Sequence, residues 1–186
     1  MVTADTFAEQ AQSTAYDGIT YSQLDCQAFV ERVLKDCGVR NARDKPYDWK
    51  GSNDMWRNAL FWKGTIEECR KLFGCIPLGA WAFIIKRDGG EIARGYHDDQ
   101  GNASHVGIYC RNGDQPIRDS TRSSTRDGVG YRSLAAFNYI GLPKCLGFSC
   151  TSFDTTNDAK DLLHNIEHYL TTAQSMLSEL DRLLEG

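Results

Sequence analysis

The chain has no apolar run long enough to cross a bilayer. Its longest, IPLGAWAFII at residues 76–85, is about half the length a spanning helix needs. The opening residues, MVTADTFAEQ, hold no basic stretch followed by an apolar one, so no classical secretory leader is expected there. Positive charge is not in excess either. The formal net charge of −4 excludes a generic nucleic-acid footprint. Seven cysteines are present, yet none forms a C-x-x-C pair or a zinc-finger spacing. The odd count leaves at least one thiol free in a monomer, and reduced thiols in a chain made in the cytoplasm are expected. What is there is ordinary globular material: 41% apolar and 25% charged residues, enough for one domain with an appendage.

Apolar periodicity divides the chain. Phe7, Ala8, Ala11 and Ala15 predict a helix from Thr3 to about Tyr16, broken by Asp17-Gly18. Cys26, Phe29, Val30, Val33, Leu34 and Cys37 recur at i, i+3, i+4 and i+7, which predicts a helix over 25–37 with Gly38 as its C-terminal stop. Residues 40–75 read as a long connection with short helices, the clearest being GTIEECRKLF at 64–73, where Thr65 and Glu68 fit a capping box. LGAWAFIIK at 78–86 and SHVGIYC at 104–110 read as strands. The turn signal Asn112-Gly113-Asp114 leads to a return strand at 115–119, and STRSSTRDG at 120–128 reads as a polar loop. Helices followed by hairpin-linked strands imply an α+β domain over 1–150, with N-terminal helices packed on an antiparallel sheet.

A different pattern occupies 151–186. Ala159, Leu163, Ile166, Leu170, Ala173, Leu177, Leu180 and Leu184 keep an unbroken 4-3-4-3 spacing. Such a seam predicts an amphipathic or coiled-coil helix, with homo-oligomerisation through 159–184 weighed against packing on its own domain.

Four histidines compete for a chemical role. His164 and His168 have a metal-capable i, i+4 spacing, but without a third ligand nearby they read as a solvated pair and no metal site is expected. His97 lies in a polar loop. His105 opens an apolar strand, where a packed helix can bring it a partner. A cysteine nucleophile needs a thiolate-favouring site, which a helix N-terminus offers, and a neighbouring imidazole base. Cys26 and His105 meet both needs; Cys37, Cys69 and Cys75 sit late in helices or in loops, and Cys110 alternates away from His105.

These two segments, LDCQAFVERVL and SHVGIYCRNG, carry a resemblance. Asp25-Cys26-Gln27-Ala28-Phe29-Val30 and His105-Val106-Gly107-Ile108-Tyr109 resemble the NlpC-type cell-wall cysteine peptidases, a papain-like family; the match spans about residues 5–150. The resemblance implies a papain-like fold and a cysteine endopeptidase or amidase that hydrolyses an amide bond in the peptidoglycan stem peptide through a thioester. It implies no cofactor. Cys26 would be the nucleophile, His105 the base, and Tyr21 the tyrosine that the family places before its cysteine and a candidate oxyanion donor. The insert at 40–75 resembles members from gut bacteria and their phages, and with no leader in view the expected route to the wall is lysis or non-classical export.

The third position departs from the family, which places a polar residue on the return strand. Counting across the hairpin puts Arg118 there, a donor-only cation poorly suited to a protonated imidazole. Asp119 would orient the ring better, yet strict alternation then demands a bulge. A backbone carbonyl is the remaining alternative. Trp49, Trp56, Phe61 and Trp62 are read first as core and second as groove walls. Against the hydrolase stands a non-catalytic wall-binding or assembly protein whose heptad helix matters most. Acyl transfer from the same thioester to an amine is a third reading.

Overall fold

The computed structural model describes residues 1–86 and 93–148. Thr3 caps the first helix, α1 (Ala4–Ala11), by accepting from the Thr6 N–H. The helix is shorter than its apolar spacing predicts. Ser13 captures the Ala15 N–H and starts a separate 3₁₀ turn at Thr14–Tyr16, leaving Ala15 exposed. Competition of a serine side chain with the helical ladder is the physical reason. The second helix, α2 (Cys26–Asp36), matches expectation: Asp25 accepts from the Ala28 N–H at 2.8 Å, Phe29, Val30, Val33 and Leu34 are fully buried, and Gly38 follows at φ +75°.

Residues 40–75 are more structured than a decorated connection. They hold α3 (Ser52–Asn58), a strand β1 (Leu60–Thr65) and α4 (Ile66–Phe73). Thr65 and Glu68 form the expected capping box at the head of α4. Five further strands follow: β2 (Trp81–Lys86), β3 (Asn102–Tyr109), β4 (Ile117–Arg122), β5 (Asp127–Arg132) and β6 (Tyr139–Pro143). The STRSSTRDG stretch is not one loop. Its first residues end β4, its last begin β5, and only 123–126 turn.

The six strands form one antiparallel sheet in the order β1-β6-β2-β3-β4-β5, so the chain is α+β as expected. Apolar side chains cover it on both faces. Trp81, Phe83, Ile85, Val106 and Ile108 pack with α1, α2 and α3, while Ala82, Ile117, Ile140 and Leu142 pack with Cys69 of α4 and with Phe137. Double coverage explains why β2 reads as a continuous apolar run rather than an alternating one. Each large side chain sealed in these layers contributes roughly 1.5–3 kcal/mol.

Of the aromatics in the insert, Trp56 is buried against Phe83 and Tyr139, Trp49 lies edge-on to Trp81, and Trp62 packs on Phe73. Phe61 is the exposed one. Among the described residues, no helix is long and apolar enough to cross a membrane. The expected heptad helix, with His164, His168 and Cys150, lies outside the described residues.

Candidate active site

The site forms where β3 and β4 meet the head of α2. The two strands pair at Ile108–Arg118 and Tyr109–Ile117. Both strands run on beyond those pairs, β3 back to Asn102 and β4 forward to Arg122. Ser120 does not look across to β3; its Oγ donates to the Leu24 carbonyl, two residues before Cys26. The chain entering α2 is thereby tied to β4, and α2 packs on both strands.

Cys26 is the first residue of α2 and its side chain is buried at 6% exposure, on the apolar stripe. As the first residue of the helix, it has a backbone N–H with no intrahelical acceptor. Its thiol lies close enough to the His105 ring and the Tyr21 hydroxyl to help raise the pKa of both. His105, on β3, is also buried. Its Nε2–H donates to Asp119 Oδ2 at 2.6 Å, so Nδ1 is the ring nitrogen left for the thiol. The structure therefore brings Tyr21, Cys26, His105 and Asp119 together.

Asp119 reaches the ring without a bulge. Continuing the β3–β4 register by one residue sets Asp119 opposite Gly107, on the face that also carries His105. The expectation of a bulge is thus corrected: counting across the hairpin had set Arg118 against His105, whereas Arg118 is registered with Ile108. Arg118 is no candidate for the third position. Its guanidinium leaves on the other face, pairs with Asp17 and lies 4.4 Å over the Tyr131 ring.

Glycine flanks Asp119 on both sides. A Cβ at Gly107 would come 3.0 Å from the Asp119 Cβ and 2.6 Å from Ile117 Cγ2. Across β4–β5, Asp119 is paired with Gly130, where a Cβ would lie 2.5 Å from a guanidinium nitrogen of Arg126. The first glycine makes room for the His105 contact and the second for an arginine to cross over. Arg126 donates to Asp119 Oδ1, and Arg132 donates to Oδ2 at 3.1 Å. Asp119 itself is fully buried. A carboxylate so deep requires such partners, since an unpaired buried charge is costly.

Two opposing effects act on His105. Burial pulls its pKa down, but the hydrogen bond to Asp119, the nearby Cys26 sulfur and the Asp119 charge outweigh it and raise the value to about 9. Burial, with Cys26 and Asp25 close by, pushes the Tyr21 hydroxyl up to about 12, so it remains a donor at neutral pH. The thiols of Cys69, Cys110 and Cys145 are also pushed up to about 12, chiefly by burial. His97 is exposed in its loop.

Sequence reasoning missed Ser120, Arg126 and Arg132. The last two lay in or beyond what was read as a loop. The signal for Arg132 was present as the i, i+2 alternation Gly128, Gly130, Arg132, one face of an edge strand. Comparison with known proteins finds no matching family model, no matching curated protein and no matching solved structure.

Proposed function

We propose that the chain is a papain-like cysteine hydrolase that cuts an amide bond, with the peptide stem of peptidoglycan as its substrate class. The observation that carries this reading is the Cys26 thiol at the head of α2, set against a buried His105–Asp119 pair. The substrate class comes from the resemblance of the two motifs, not from the geometry.

In this reading Cys26 Sγ attacks the scissile carbonyl carbon while His105 holds the thiol proton. The tetrahedral oxyanion is stabilised by the Cys26 N–H, with the Tyr21 hydroxyl as second donor. Its collapse breaks the C–N bond, His105 passes the proton to the departing amine, and a thioester remains. His105 then takes a proton from water, whose oxygen attacks the thioester, releasing the carboxylic acid and returning the thiol. Asp119 keeps the ring in one orientation and balances its charge. Arg126 and Arg132 keep Asp119 in place.

Incubating purified sacculi with the wild type and with Cys26→Ala tests the reading. Soluble peptide fragments should be released by the first and not by the second. Release that persists in Cys26→Ala would rule out the thiol mechanism, and no release by the wild type from any wall type would favour a wall-binding or assembly role. Adding an amine acceptor separates hydrolysis from acyl transfer by its products.

A further inference from the structure

Beside the His105–Asp119 pair lies a cavity of about 390 Å³ between the end of β4 and the strand β5, lined by Thr121, Ser123, Thr125, Arg126, Tyr131 and Arg132. Its chemistry is one-sided: two guanidiniums, hydroxyl groups and no acidic side chain. Asp119 is the one carboxylate that both arginines share, and it also faces His105, so positive charge stays uncompensated. Donors are left over as well. The Nε–H of Arg126 is buried with no partner among the described residues. Among the described residues the Arg132 side chain makes one hydrogen bond, to Asp119, and it is about a quarter exposed.

We propose that this cavity is a carboxylate subsite, seating a free carboxylate of the peptide substrate beside the scissile amide. A guanidinium presents parallel N–H groups that match a carboxylate's two oxygens, and the surrounding hydroxyls supply further donors. Because both arginines also hold Asp119, they join the cavity to the His105–Asp119 pair, and an anchored carboxylate fixes the register of the chain in the groove. The inference rests on the hydrolase reading for the word substrate, but the binding it describes does not require turnover.

The test uses the full-length Cys26→Ala protein and two probes: a peptidoglycan stem peptide with free carboxylates, and the same peptide with those groups converted to carboxamides. Calorimetry should find the free acid bound about tenfold tighter or more. Its addition should move the Arg126 and Arg132 Nε–Hε signals in ¹⁵N spectra, and the amide should leave them unmoved. Arg132→Gln should erase the preference. Thr121→Phe, which fills the cavity from a side chain with no hydrogen bond to Asp119, should weaken binding of the acid in the same way should Arg132→Gln fail to fold. Equal affinity for acid and amide, or a preference that survives a folded cavity variant, overturns the subsite. Sacculus digestion by the wild type reads the hydrolase separately: digestion without discrimination sinks the subsite alone, and discrimination without digestion sinks the hydrolase alone.

Discussion

Gly107 and Asp119 stand face to face across the β3–β4 hairpin, and a Cβ on the glycine would lie 3.0 Å from the Cβ of the aspartate. The absence of one methyl group is what lets a buried carboxylate reach His105 two residues along β3. Gly107→Ala should therefore act on the site more than on the fold. The new Cβ would also meet Ile117 Cγ2 at 2.6 Å, inside a closed layer with little room to give. We expect a stability loss of about 1–3 kcal/mol from overpacking, and a loss of turnover larger than that figure explains. Thermal unfolding beside sacculus digestion measures both. Turnover that falls only in proportion to the folded fraction would show that Gly107 does not set the Asp119–His105 contact.

The raised His105 pKa makes a signed prediction. A folded value of about 9 exceeds the usual imidazole value of about 6.5, so the folded state holds the proton more tightly. Stability from this ring is complete below about pH 6.5 and is lost as pH rises through about 9. Melting temperature of the wild type should fall between those limits more than that of His105→Gln. Parallel curves would contradict the assignment.

Asp119→Asn removes the carboxylate that raises the ring and leaves Arg126 and Arg132 facing it unpaired. Both changes disfavour the imidazolium. The alkaline limb of kcat/KM, expected near pH 9 in the wild type, should move to lower pH in the variant. The rate at its optimum should fall roughly 10²–10⁴-fold, the usual worth of a positioned acid–base group. An unmoved limb would mean that another group titrates.

Much of this site was legible because its parts are local. The apolar stripe behind Cys26 and the apolar strand carrying His105 are each contained in a dozen residues, where periodicity is informative. The third partner was not local. Whether Arg118 or Asp119 meets the ring depends on hairpin register, and a slip of one residue exchanges the two faces. The strands that escaped notice share a cause. In β5 two glycines interrupt the apolar signal, β6 contains glycine and ends at Pro143, and β1 runs straight into α4 with no turn residue between. With 120–128 read as a loop and no strand expected after it, Arg126 and Arg132 had no β4–β5 hairpin to come from.

Ser120 offers a test of how the helix head is held. Its hydroxyl donates to the Leu24 carbonyl from a fully buried position, linking β4 to the residues just before Cys26. Ser120→Ala leaves that carbonyl without its donor, which costs about 1–3 kcal/mol. Ser120→Cys keeps the size and a weak donor, so it should recover part of the loss. If the bond also sets where Cys26 stands, turnover should fall in Ser120→Ala at temperatures where the protein remains folded. Full turnover in the folded variant would confine Ser120 to stability.

Thiol chemistry provides an independent reading of the site. Cys69, Cys110 and Cys145 have their thiols pushed up to about 12, mainly by burial, so they stay protonated and unreactive at pH 7. Cys26 differs in having the His105 ring, protonated at pH 7, and the Tyr21 phenol beside its sulfur. Iodoacetamide at pH 7 should therefore modify Cys26 ahead of these three, with loss of hydrolysis in step with the Cys26 adduct followed by peptide mass. His105→Ala removes the imidazolium and should slow that modification about tenfold or more, because the thiolate is the reacting form. An adduct that builds up on Cys26 at the same rate in both proteins would show that His105 does not activate the thiol, and the pairing would then be structural alone.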